Sequence, residues 1–339
     1  MKKTKIYASE NSLKADSIDM TLSINPLGCS SKVISGLNNI NIQDISKYPN
    51  DTDIRLCISK KFKLQKENIL MGSGSEQLIK LIAQTFIKKG DKVLVQSGSF
   101  PLFTKETKLK GGNVKYFDPN NFAREEYVKL VFISNPSTPT GEVFDRQIIE
   151  RLLKLFPKSI IVVDEANGDF INQTAIKFIL SNPNLIVLRT FSKVFGLAGL
   201  RIGFAVGNGS KFNKLLLAQQ AFVISSIACK LAIVALSDEV FIEKTREFFQ
   251  NERTFMTNEL KKLGFRVSNS STNNLFISGN DIKNTMEKLK EKRVGVIDNT
   301  YFPNLNEIGF RISLRDNRTN KKFLLILESI IDATTTEKK

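Results

Sequence analysis

The chain has no histidine at all. That absence removes every His-based catalytic triad and every His-bound zinc, iron or copper site. Any proton carrier must then be Lys, Tyr, Asp, Glu or Cys. Cysteine is scarce: Cys29, Cys57 and Cys229 are the only three. They are odd in number and far apart, which points to neither a disulfide framework nor a zinc site, and no metal is expected. Long apolar runs are missing too. None reaches the ~20 residues that a membrane-spanning helix needs. The start, Met1-Lys2-Lys3-Thr4-Lys5, is basic, but no apolar stretch of signal-peptide length follows it. The expectation is a soluble, cytoplasmic protein without a membrane partner.

What is present is ordinary for a globular protein. Hydrophobic residues make up 41% and charged residues 25%. At 339 residues the chain is too long for one compact core, so two domains are expected. The formal charge of +16 raises the possibility of a basic, non-catalytic protein that binds nucleic acid or a regulatory partner. Against it, 37 of the 50 basic residues are lysines spread along the whole chain. They form no stripe and do not alternate with aromatics. A solvated lysine surface is the better reading, with a small anionic substrate rather than nucleic acid as the partner.

Helices alternate with short apolar runs through the middle of the chain. Glu76 to Lys89 carries Leu78, Ile79, Leu81, Ile82, Phe86 and Ile87 at helical spacing, with Gly90 as its stop. Asp145 to Phe156 reads as a second amphipathic helix. Lys92 to Val95, Val128 to Ser134, Ser159 to Val163, Leu185 to Leu188 and Ile202 to Val206 suit buried strands. This alternation predicts an α/β fold with a mostly parallel sheet flanked by helices. Ligands of such sheets sit at the carboxyl ends of the strands. There the sequence places Asn135, Asp164 and Ser192-Lys193. After about Leu215 the pattern changes to long helices (Asp238 to Leu263, Asn320 to Ile331) and short strands (Asn274 to Ile277, Phe310 to Leu314). The expected division is a large domain over 30–220 and a smaller α+β domain built from 1–29 and 221–339.

Four segments carry chemistry. Thr190-Phe-Ser-Lys-Val-Phe-Gly-Leu-Ala-Gly-Leu-Arg201 puts an amine after a strand, and amines form Schiff bases with carbonyls. Val162-Val-Asp-Glu-Ala166 ends a strand on a carboxylate. Ser134-Asn-Pro-Ser-Thr-Pro-Thr-Gly141 is a rigid turn. Met71-Gly-Ser-Gly-Ser-Glu-Gln77 opens a helix with small residues, whose free N–H groups attract phosphate. Taken singly, each also fits a solvated loop, a cap or a turn.

Together and in this order, they resemble the fold-type I pyridoxal 5′-phosphate (PLP) enzymes of the aspartate-aminotransferase superfamily. The resemblance spans roughly Leu22 to Leu327 and is strongest to histidinol-phosphate aminotransferases and threonine-phosphate decarboxylases. It implies that Lys193 carries PLP as an imine and then acts as the base. It implies that Asp164 pairs with the pyridine nitrogen and keeps the ring an electron sink. Asn135 is implied to donate to the phenolate oxygen. The Ser75 and Glu76 amides, Thr190, Ser192 and Arg201 would hold the phosphate. Phe103 would stack on the ring, and Tyr48 would reach the partner subunit's phosphate in a homodimer with shared sites. Arg311 is implied to grip the substrate carboxylate. In a strand, Arg315, four residues on, shares its face and would point toward the same anionic substrate.

Asn167 stands where aminotransferases of this kind carry a tyrosine. Ser23-Ile-Asn-Pro-Leu-Gly28 and the pair Arg311 and Arg315 are more like the decarboxylase branch; the lysine segment is more like the aminotransferases. The leading expectation is a PLP-dependent aminotransferase moving an amino group between glutamate and a small phosphorylated keto compound. A PLP-dependent decarboxylase of an O-phospho amino acid is the alternative.

Overall fold

A computed structural model of the chain describes residues 17–337. The basic start and the rest of 1–16, assigned above to the smaller domain, lie outside the described residues.

Seven strands form the main sheet, in the order Ile69–Gly72, Gly203–Gly207, Leu185–Thr190, Ile160–Asp164, Val128–Ser134, Lys92–Gln96 and Asn113–Phe117. All run parallel except Gly203–Gly207, which is antiparallel to both of its neighbours. The central strands are apolar without alternation because both faces are covered. Val131, Ile133, Ile161, Val163 and Val187 point into one core, shared with the helices Thr52–Phe62, Arg146–Leu155 and Ser226–Ser237. Leu130, Phe132, Ile160, Val162, Ile186 and Leu188 point into the other, shared with the helix Gly74–Phe86.

A four-stranded antiparallel sheet follows, in the order Ile297–Asp298, Gly309–Ser313, Asn274–Ser278 and Arg266–Val267. Its core holds Leu275, Ile277, Phe310 and Ile312 with apolar residues of the closing helix, and also Met20. The strand Ile18–Asp19 pairs with Val294–Gly295. The early segment thus belongs to this core although it is more than 200 residues away in sequence. The helix Glu239–Lys262 joins the two cores: Ile242 lies in the first, and Phe249, Met256 and Leu260 in the second.

The sequence-predicted elements recur with shifted ends. The first helix starts at Gly74 and stops at Phe86, not Lys89, because Lys88 N–H turns to the Asp91 carboxylate and Ile87 is extended. Asn113–Phe117 is legible only in the structure: it is a partly exposed edge strand of mixed polarity. The expected boundary at 220 falls just ahead of Ser226–Ser237, whose Ala228, Leu231 and Ala232 lie in the large sheet's core.

The early segment also crosses the lysine loop. A Cβ on Gly196, where φ is +69°, would stand 1.9 Å from the Gly28 carbonyl oxygen. Gly196→Ala is therefore expected to lower stability by about 2 kcal/mol, from left-handed strain and the displaced chain together. Chemical denaturation measures it.

Candidate active site

Parallel strands end at one edge, so their last residues converge. Ile160–Asp164 delivers Asp164 there. Leu185–Thr190 delivers Thr190, with Ser192 and Lys193 in the turn that follows. The pairing of Ile69–Gly72 with Gly203–Gly207 brings the first turn of helix Gly74–Phe86 to the same edge. These groups line one cavity of about 410 Å³, together with Ser75, Glu76, Asn167, Arg201 and Arg311.

Burial dominates the electrostatics. Asp164 is 6% exposed, and removal from water pushes its carboxyl up to about 6. The Ala166 N–H donates to Asp164 Oδ1 at 3.0 Å and, with the Lys193 ammonium, opposes that rise. Burial pulls the Lys193 amine down to about 8, and the Arg311 and Arg201 guanidiniums add to the effect; Asp164 opposes it. At neutral pH the cavity thus holds a carboxylate and an amine that is easily deprotonated.

The phosphate-sized corner is built from backbone. Ser73 makes no side-chain cap at the start of this 13-residue helix, whose first-turn amides and dipole favour an anion. Arg201 lies over this turn: a Cβ on Gly74 would stand 2.8 Å from its Nη2. On Gly203 it would meet the Ser75 nitrogen at 3.1 Å. Only glycines let the strand, the helix start and the guanidinium meet so closely. The Glu76 side chain turns away to Lys80 at 2.7 Å, leaving its amide as the part that matters here. Thr190 and Ser192 hydroxyls bond each other at 2.9 Å.

Arg311 sits at the far end, on the strand Gly309–Ser313, and is 8% exposed. Burial pulls it down to about 10, and the nearby Tyr301 and Asp19 oppose this. Its Nη2 donates to the Thr21 carbonyl, and its buried Nε has no partner. Lys193 Nζ donates to the Ser23 carbonyl at 3.0 Å. The early segment therefore passes between the two cations.

Residues 40–327 match the family model described as aminotransferase class I and II. The histidinol-phosphate aminotransferase of Ruminiclostridium cellulolyticum is 36% identical over 269 residues, covering 74% of this chain and 75% of that protein. The chain belongs to the class I and II aminotransferases. Its fold agrees with that assignment. The structure of histidinol-phosphate aminotransferase from Sinorhizobium meliloti in complex with pyridoxal-5′-phosphate superposes with a TM-score of 0.84 at 20% identity, over 93% of this chain and 91% of that one. L-threonine-O-3-phosphate decarboxylase from Porphyromonas gingivalis gives 0.82 at 21% identity, over 93% and 99%. These two likenesses show the fold.

Three sequence-based expectations for this aminotransferase, at Phe103, Arg315 and Asn135, meet a different geometry. Phe103 does not line the cavity. It is fully buried and stacks on Phe132 at 4.7 Å, because the helix Pro101–Leu109 turns it into the sheet's core. Phe100, at the N-terminal end of that helix, lines the cavity instead. The strand carrying Arg311 ends at Ser313, so the shared-face argument stops short of Arg315, which is not a lining residue. Asn135 is also outside the lining. Its amide is engaged with the Phe144 backbone, accepting at 2.9 Å and donating at 3.2 Å, and this closes the turn. Tyr48 is 81% exposed and stacks on Phe222 at 4.5 Å, away from its own chain's cavity.

Other lining residues escaped sequence reasoning. Thr21 to Ile24, Thr138, Asn274, Ile297, Tyr301 and Phe302 arrive from segments distant in sequence. The short motif at Ser23 and the turn motif that contains Thr138 gave the only signals.

The depressed amine generates a pH prediction. Among the lysines of this aminotransferase, Lys193 should react first with a dilute aldehyde. Its rate should climb with pH and level off near 8, since the neutral amine is the nucleophile and its folded pKa is below that of a free lysine, 10.5. Borohydride trapping with peptide mapping across pH 6 to 11 reads it.

Proposed function

We propose that this aminotransferase is PLP-dependent, with the cofactor carried by Lys193, and that it moves an amino group between glutamate and a small phosphorylated keto compound. One observation carries the reading: a depressed amine, a buried carboxylate and a buried guanidinium line a single cavity. The residues fit the cofactor. An uncapped helix start beneath Arg201, where side chains at positions 74 and 203 would intrude, suits its phosphate. When bound, PLP supplies an aldehyde that condenses with amines and a pyridinium ring that draws electrons from the α-carbon.

The chain's own groups do the rest. Asp164, ionised above about pH 6, holds the proton on the ring nitrogen. The Ser75 and Glu76 amides, Thr190, Ser192 and Arg201 anchor the phosphate. Asn167 would meet the phenolate oxygen, Asn135 would brace the neighbouring turn through the Phe144 backbone, and Phe100 rather than Phe103 would cover the ring. Lys193 moves the proton at the substrate α-carbon. Arg311 grips the substrate's anionic group with its fork. The phosphorylated acceptor is supported by the histidinol-phosphate relatives.

We further propose a cytoplasmic homodimer, divided as 30–220 and as 1–29 with 221–339. The support is an exposed apolar face: Ile42 is 70% exposed and Ile45 68%, near the Tyr48–Phe222 ring pair. Tyr48 would reach the phosphate of the partner's cofactor. No helix among the described residues is long and apolar enough to cross a membrane.

Incubation of the holoenzyme with glutamate alone tests the reaction. Conversion of the bound cofactor to its amine form, seen as loss of the visible band, is expected. Carbon dioxide release from a phospho-amino acid without that conversion would transfer the protein to the decarboxylases. Arg311→Met should lower kcat/KM by about 100-fold, the value of a charge-assisted contact. Ile42→Asp with Ile45→Asp should give a monomer on sedimentation, with weaker cofactor binding.

A further inference from the structure

Asp164 and Asn167 reach the cavity from a loop whose other side carries a buried charge cluster. After Asp164, the residues divide between two sides of the loop. Ala166 and Asn167 line the cavity, whereas Glu165 and Asp169 turn to the opposite side and meet Arg189. Arg189 Nε and Nη2 lie 3.0 and 2.8 Å from Glu165 Oε2, and Nη1 lies 2.9 Å from Asp169 Oδ1. Arg189 is 5% exposed and Glu165 2%. The Phe62 ring stands 5.5 Å from the guanidinium carbon.

The loop is closed on both sides of this cluster. Glu165 also accepts from Thr174 Oγ1 at 2.7 Å and from the Ala175 N–H. The Asp169 carbonyl accepts from Arg246 Nε at 2.7 Å, on the helix that joins the two cores. Gly168 has no room for a side chain: a Cβ would stand 2.9 Å from Glu165 Cβ and 3.0 Å from Arg189 Cζ. A rigid guanidinium fork that holds two carboxylates four residues apart fixes the backbone between them. That backbone includes the Ala166 N–H, which bonds Asp164 Oδ1.

We propose that Arg189 is a positioning residue for this aminotransferase: through Glu165 and Asp169 it sets where Asp164 and Asn167 meet the cofactor ring. The proposal rests on the PLP reading above. A purely structural ion cluster would leave the ring's environment untouched once the fold is kept, and this separates the two cases.

The test uses the full-length holoenzyme. A buried ion pair replaced on both sides by apolar residues is often neutral for stability. Glu165→Met with Arg189→Met removes the pair but also leaves Asp169 and the Thr174 and Ala175 donors without their partner, so it should fold with a lowered melting temperature. It should bind PLP about tenfold more weakly by equilibrium dialysis, the factor for one lost charge-assisted hydrogen bond. Its bound cofactor should also show a displaced visible band. Asp169→Asn keeps the Glu165 pair and is only partly buried, so it folds if the double variant does not. It should move the same two readouts in the same direction by a smaller factor, and Arg189→Lys should restore them in part relative to Arg189→Met. Parent-like affinity and band position in the folded variants, with only the melting temperature lowered, would overturn the proposal. A parent chain that takes up no PLP would overturn the cofactor reading and this proposal with it, and the parent control shows that outcome directly.

Discussion

Withdrawing one amine and one carboxylate from water at the same sheet edge is the constraint on which the site rests. Each group alone would neutralise itself: burial raises Asp164 and lowers Lys193. Each also relieves the other, since the carboxylate favours the ammonium and the ammonium the carboxylate. Two further cations, Arg201 and Arg311, tilt this balance against the Lys193 proton. The outcome is a nucleophilic amine close to neutrality beside a carboxylate that is still ionised there, which is the combination carbonyl chemistry requires.

The fold maintains that arrangement through elements that are rigid for independent reasons. Parallel strands covered on both faces align Asp164 with the turn that bears Lys193. The antiparallel strand of the main sheet, Gly203–Gly207, brings Arg201 back over the helix start. Behind the sheet edge, Arg189 binds the loop that follows Asp164. In front of it, the segment from Thr21 to Gly28 is held by Asn25 Nδ2 donating to the Val194 carbonyl at 3.0 Å, and by Ser23 Oγ donating to Asn274 at 2.5 Å. The active site is thus enclosed by both cores, and Arg311 comes from the smaller one.

Much of the large sheet was legible because its signal is local. Buried parallel strands are short apolar runs, and the chemistry-bearing residues follow them directly in sequence, as at Val163-Asp164 and Thr190 to Lys193. The resemblance supplied cofactor roles that periodicity alone would not. Where reasoning by position failed, a local geometric event intervened. A helix beginning at Pro101 rotated Phe103 into the core and left Phe100 on the cavity side. A strand ending at Ser313 broke the alternation that linked Arg315 to Arg311.

By itself, the sequence determined the class of chemistry. The absence of histidine narrowed the possible proton carriers, and four motifs in one order carried the resemblance to the aminotransferases; taken singly, the lysine and the aspartate fit a loop or a cap as well. Only the tertiary structure decided which side chains surround those two groups. Thr21, Asn274, Ile297 and Tyr301 are more than 80 residues from both Lys193 and Asp164, and no periodicity relates them. Their convergence depends on how two separately built cores pack around one helix and one early strand, a property of long-range burial that no local pattern encodes.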